Sequence, residues 1–444
     1  MEVVARSRRV SSPADIRAVH CAADIRAADR ASVAIVPTMP GRAKQTLSGR
    51  DRAMRCRNSL IAFSLCCLVA IWAGCGPNQK SGGPQPAGNK SDSAAPGKEA
   101  PAAKPQAPAD PSQQPAAPSA APAGSAQAPQ GTPYTINVPK GLPPVPVPAD
   151  NPMTVEKVNL GRMLYFDKRL SKDGSVSCAT CHDPKHAWAE TTAVSTGIGG
   201  QKGGRNSPSV INTAYAPVLF WDGRAKSLEE QALGPIANPI EMGHTVDAMV
   251  AELNRLAPYK ELFQKVFGTE VTAEGVAKAI AAFERTVLSG NSPYDKYQDG
   301  DESALSEAQK RGMQKFDDAG CATCHAPELF SNFRFYNAGV SWDKETPDVG
   351  LMEVTKKESD KGKFRVPMLR DVAKTAPYFH DGSAATLEEA VALMAAGGRD
   401  NPNLDRMFRP VREAKLTEAD QKDIVAFLNA LSGEFPVVDP PELP

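Results

Sequence analysis

Charge of one sign, cysteine, and long apolar runs are all scarce in the folded part of this chain, and each scarcity excludes something. The 444 residues carry 51 basic and 51 acidic side chains, so no net charge. That balance hides an asymmetry, because residues 1–74 hold 12 Lys/Arg and 5 Asp/Glu, leaving 39 against 46, or about −7, in the remainder. An acidic body of this kind excludes nucleic acid as a natural partner. Of nine cysteines, Cys21, Cys56, Cys66, Cys67 and Cys75 fall in the leading segment, and the four that remain form two CxxC pairs. No run of alternating apolar residues marks a strand in either half. A mainly α fold with long ordered loops is therefore expected.

The one sustained apolar stretch, residues 60–73, follows two arginines and ends in small residues directly before Cys75. It is short for a bilayer span and reads as an export signal over residues 54–75. Its Ala-Gly-Cys ending resembles a bacterial lipoprotein box, with Trp72 in place of the usual aliphatic residue. Lipid anchoring at Cys75 and a soluble exported protein both remain open. Residues 1–53 are Arg-rich without apolar periodicity and suggest a misassigned start or a disordered leader. Residues 76–135 are Pro, Ala, Gln, Ser and Gly with almost no aromatics, too little apolar surface to offset chain entropy, and are expected to form a tether.

The body repeats itself. Gly161 is followed four residues later by Tyr165, and Gly312 by Phe316, the spacing of one helix face. Val276, Ile280, Phe283 and Val287 form one amphipathic stripe, and Ile424, Phe427, Leu428 and Leu431 another, with Thr272 and Thr417 as expected caps. Cys178 and Cys321 are 143 residues apart and Ile280 and Ile424 are 144 apart. Two homologous domains follow, at 136–298 and 299–436.

Each half contains the same pentapeptide, Cys178-Ala179-Thr180-Cys181-His182 and Cys321-Ala322-Thr323-Cys324-His325. CxxCH offers two thiols for thioether bonds to haem vinyl groups and an imidazole for the iron. A disulfide pair or a four-thiolate zinc site competes for the cysteines. Zinc modules, however, space their pairs by roughly 12–20 residues, and neither alternative uses the histidine. Two covalently attached haem c groups are expected, one in each of two tandem cytochrome c-like domains.

What faces the second side of each iron decides between storing an electron and performing chemistry. In the second half Met394 follows Phe379-His380-Asp381-Gly382; its position fits a thioether ligand or a core residue. In the first half residues 191–205 contain neither histidine nor methionine. Beyond them come Phe220-Trp221-Asp222-Gly223-Arg224, Gln231, Pro235 and Glu241. Glu241, beside prolines and apolar residues, fits a buried acid/base group or a surface carboxylate. Trp221 on its own fits core packing.

The linked segments LGRMLYFDKRLSKDGSVSCATCH, FWDGRAKSLEEQALGPIANPIEMG and FRVPMLRDVAKTAPYFHDGSAATLEEAVALM, with the second CATCH between the last two, resemble the bacterial dihaem cytochrome c peroxidases and their relatives, the methylamine-utilisation dihaem enzymes. The resemblance covers residues 140–434. It implies that His182 is the proximal ligand of a peroxidatic haem and Glu241 its distal acid/base, with Gln231 and Pro235 lining that pocket. It implies that His325 and Met394 ligate an electron-donating haem, that Trp221 lies between the haems, and that His380 sits near the haem propionates. A calcium ion between the domains would use Asn206 and the backbone carbonyls of Thr375 and Pro377. The implied reaction is reduction of hydrogen peroxide to water in the periplasm, with a small c-type cytochrome or copper protein as donor. Homodimers are common in the family.

Met394 favours the peroxidase branch, since the methylamine-utilisation enzymes place a tyrosine on the second haem. Ile198 stands where many of these peroxidases have a histidine that blocks the first haem until the second is reduced, so an open first haem is expected here. His186 is expected to be a loop histidine, and a distal role for His244 stays open. Two other readings remain: a dihaem oxidase acting on a protein or organic substrate through high-valent iron, and a non-enzymatic dihaem electron carrier.

Overall fold

In the computed structural model residues 131–444 are described, and they belong to one compact unit. Residues 1–53, the export signal with Cys75, and the tether up to residue 130 lie outside the described residues. Pro133 already pairs with Thr154, and the Tyr134 amide donates to the Met153 carbonyl at 3.1 Å. The folded body thus takes in the last residues that composition alone assigns to the tether.

The first half builds α1 (Val155–Phe166), α2 (Cys178–Cys181), α3 (Leu228–Ala237), α4 (Val246–Leu253), α5 (Ala257–Phe267) and α6 (Ala273–Glu284). The second builds α7 (Pro293–Gln298), α8 (Glu307–Asp318), α9 (Met352–Thr355), α10 (Leu387–Ala395), α11 (Arg409–Glu413) and α12 (Glu418–Asn429). Among the described residues the only ladder joins β1 (Phe335–Tyr336) to β2 (Phe364–Arg365), antiparallel. The expected caps form: Thr272 accepts from the Gly275 amide and Thr417 from Asp420, the latter within a reciprocal capping box.

Each half is organised on one close helix crossing, α1 on α6 and α8 on α12. A side chain at Gly161 would collide with the Ala279 carbonyl, and one at Gly312 with the Asp423 carbonyl. Glycine is required there because backbone meets backbone. One turn on, Tyr165 meets Phe283 edge-to-face at 5.3 Å and Phe316 meets Phe427 at 5.4 Å, a geometry that adds about 0.5–1.5 kcal/mol per pair beyond area burial.

The loops repeat as well, at an offset of 159. Leu219 bridges Ala225 as Tyr378 bridges Ala384. Phe220 and Phe379 both take positive φ, 64° and 71°, and Ser227 and Thr386 cap α3 and α10. The Asn212 side chain accepts from the Ser289 amide where Asp371 accepts from Gly433.

Packing crosses between the two halves in both directions. Tyr294 of α7 lies in the second hydrophobic core, and Asp295 is paired with buried Arg370 at 2.9 Å. In the other direction, Phe435 and Val438 pack on the first core, where Trp188 Nε1 donates to the Pro436 carbonyl at 2.8 Å. No described helix is long and apolar enough to cross a membrane.

Candidate functional site

Both CxxCH segments close a single turn, the amides of His182 and His325 donating to the carbonyls of Cys178 and Cys321 at 3.0 and 2.9 Å. That turn sets the two thiols and the imidazole on one side of the chain. All four cysteines are unpaired thiols, and no set of three or more His, Cys, Asp or Glu side chains converges among the described residues. The geometry therefore favours neither the disulfide nor the zinc alternative. Burial pushes the Cys181 and Cys321 thiols up to about 11, so both are neutral at ordinary pH.

His325 is half-buried with Nδ1 2.9 Å from the Phe330 carbonyl. A carbonyl only accepts, so Nδ1 carries the proton and Nε2 is left free for a metal. Burial pulls this imidazole down to about 4, keeping it in the neutral, ligating form. His182 is likewise lowered by burial, with the backbones of Pro208 and Trp188 facing it and its enclosed Nδ1 lacking a well-aligned partner.

A cavity of about 590 Å³ opens beside Cys178, Cys181 and His182. Trp221, Gln231, Pro235 and Glu241 line it, as do Asn206, Thr375 and Pro377. Glu241 Oε1 accepts from the Asn238 amide nitrogen at 2.7 Å. Its carboxyl pKa is raised by burial, with Arg224 and Asn238 opposing the rise.

The 159-residue offset sets Pro235 on α3 at the place of Met394 on α10. Met394 is half-buried and lies outside the second core, which weakens its reading as a packing residue. Proline offers no metal-binding side chain, so the first half has no counterpart to that thioether. Ile198 gives none either: its amide donates to the Glu241 carbonyl at 2.9 Å, and its side chain packs against Gly243. His186 is exposed and pairs with Asp183 at 2.9 Å. His244 is buried, with Nε2 3.3 Å from Glu252, and is not among the cavity-lining residues.

The same offset relates Trp221 to His380, and these two meet edge-to-face at 6.4 Å. Trp221 Nε1 donates to the Asn206 carbonyl at 2.8 Å, while the Asn206 amide donates to the His380 carbonyl at 2.7 Å. His380 stacks on Phe364 at 3.6 Å, and its Nε2 is buried without a partner.

Comparison with known proteins agrees with this geometry. A family model described as "Di-haem cytochrome c peroxidase" matches residues 155–303, and one described as "Cytochrome c" matches residues 309–432. The cytochrome c551 peroxidase of Nitrosomonas europaea is 40% identical over 302 residues, 67% of this chain and 86% of that one. The methylamine utilization protein MauG of Methylorubrum extorquens is 39% identical over 310 residues, 68% of this chain and 85% of that one.

The chain belongs to the dihaem cytochrome c peroxidase and MauG family.

Among solved structures, a MauG-like protein associated with microbial copper homeostasis superimposes with a TM-score of 0.61 at 35% identity, covering 68% of this chain and 96% of that one. As a dihaem family member the chain binds two haem c groups in tandem cytochrome c-type domains, and the first cavity suits one of them. Arg365 is 5% exposed at the cavity wall, its Nε 3.3 Å from the Phe220 carbonyl. No carboxylate offsets its burial, which pulls it down to about 10, so an anionic group in the cavity would meet a waiting cation.

Sequence reasoning did not single out Arg365 or Glu284, both of which line this cavity. Arg365 lies in a two-residue strand too short to show a period. Glu284 had a readable signal, because it stands four residues after Ile280 on an otherwise apolar stripe.

Proposed function

We propose that this protein is a hydrogen peroxide reductase whose first half performs the chemistry and whose second half stores an electron. The observation that carries the reading is the Pro235–Met394 equivalence, in a cavity where Glu241 and His182 share one wall system. The two haems would supply the redox chemistry, peroxide reduction in the first half and electron storage in the second.

The chain's own residues do the rest. Cys178, Cys181 and His182 would hold the first haem, and Cys321, Cys324, His325 and Met394 the second. Glu241 takes a proton from one peroxide oxygen and returns it to the other, making water the leaving group. Its partly buried carboxyl, held by Asn238, is aimed from the loop that follows α3. Gln231 and Pro235 shape the surrounding wall. Trp221, in contact with His380, bridges the halves as the electron route, and the free Nε2 of His380 suits a haem propionate. Asn206, Thr375 and Pro377 share the cavity edge and would hold a calcium ion.

The donor is a small c-type cytochrome or copper protein, and the setting is the periplasm, with lipid anchoring at Cys75 and a homodimer as further elements of the proposal. Similarity to MauG proteins supports a second reading, oxidation of a protein or organic substrate. Met394, where that branch carries tyrosine, favours the peroxidase. The test is peroxide-dependent oxidation of a reduced cytochrome: it is expected in the wild type and lost in Glu241→Gln with both haems retained. A Glu241→Gln enzyme at the wild-type rate would overturn the assignment.

A further inference from the structure

Reduction of peroxide consumes two electrons and two protons for each pair of water molecules formed. Glu241, moving one proton between the two oxygens, adds none. The two protons consumed must therefore come from another group or from solvent.

The last residue of α6 is suited to that task. At the 144-residue offset that relates Ile280 to Ile424 and Phe283 to Phe427, Glu284 corresponds to Leu428. Leu428 is an ordinary member of the second core. Glu284 is 5% exposed, lines the cavity of His182 and Glu241, and has its Oε2 enclosed without a hydrogen-bond partner.

The neighbouring cation is committed elsewhere, since Arg285 donates to Glu229 of α3 at 2.8 and 3.2 Å. The other titratable groups that act on this corner are Tyr165 of α1 and Cys178 of α2, both made harder to ionise by burial. An unpaired buried carboxylate is costly, so the group keeps its proton. Burial pushes the Glu284 carboxyl up to about 8, with Arg285 opposing and Glu229 adding.

We propose that Glu284 is the proton store of the first-haem cavity, giving its carboxyl proton to the oxygen released as water and regaining one from solvent in each turnover. The proposal rests on the peroxidase reading. In the balanced step the O–O bond breaks and the external donor supplies two electrons. One proton comes from the Glu284 O–H and the other from solvent.

The alternative, that the fold merely tolerates an acid here, is separable with an apolar variant, because the repeat carries a leucine at the equivalent position of the second half. The experiment uses the two-haem enzyme as wild type, Glu284→Leu and Glu284→Gln. Expected are a protonated-carboxyl infrared band present only in the wild type, variants that melt no lower than wild type, and single-turnover peroxide consumption by the reduced variants slowed roughly tenfold or more. Variants that consume peroxide at the wild-type rate, or that keep the infrared band, overturn the proposal alone. A wild type inert to peroxide in every redox state overturns the peroxidase reading and the proton's destination with it.

Discussion

The two halves of the molecule use one scaffold and fill it differently. Gly161 and Gly312 open equivalent helix crossings, the pairs Tyr165–Phe283 and Phe316–Phe427 close them at 5.3 and 5.4 Å, and the loop bridges recur at one offset. The divergences include three residues of the first-half cavity and their counterparts: Pro235 against Met394, Glu284 against Leu428, Trp221 against His380. Packing constrains the helix crossing, where backbones touch and nothing but glycine fits. It leaves the cavity walls free to vary, and there, on the proposed function, the repeat separates electron storage from chemistry.

The comparison can be broken or sharpened by substitution. Glu241→Gln is expected to lower turnover by roughly 10²–10⁴ with haem content unchanged, measured by steady-state oxidation of a reduced cytochrome. Equal rates would return the two halves to equivalence. Pro235→Met gives α3 the residue of α10, and the first haem is expected to turn low-spin and lose its reaction with peroxide. If it stays high-spin, the offset alone does not set ligation.

The third test is a pH dependence. Glu284 holds its proton in the folded state up to about 8, against 4.5 for an ordinary glutamate. A raised acid pKa gives stability that is fully present below the unfolded value and lost as pH rises through the folded one. Stability should therefore fall across that window by on the order of a few kcal/mol, and Glu284→Gln should flatten the slope. Chemical denaturation at several pH values reads this directly; an unchanged slope would place the acid outside the core. Last, Gly161→Ala and Gly312→Ala should each cost about 1–3 kcal/mol by overpacking. A loss confined to one half would break the scaffold equivalence.

The scaffold and the haem attachment were legible in the sequence because they rest on local rules: the CxxCH turn, the four-residue glycine-to-aromatic spacing, and caps such as Thr272 and Thr417. The stacking of His380 on Phe364 and the approach of Arg365 to the Phe220 carbonyl were not, since they join segments with no shared period. The packing of residues just before 298 onto the second half was not legible for a similar reason. Tyr294 and Asp295 sit in a short Pro-capped helix whose partners, Ala430 and Arg370, lie far along the chain.

The most direct test of the unequal halves is the electronic spectrum of the oxidised two-haem protein, followed by addition of one equivalent of peroxide. With Ile198 packed against Gly243 and Pro235 lining the same cavity as His182, the account predicts a high-spin first haem beside a low-spin His/Met second haem. It predicts reaction with peroxide without prior reduction. An all-low-spin protein that ignores peroxide until it is half reduced would contradict it.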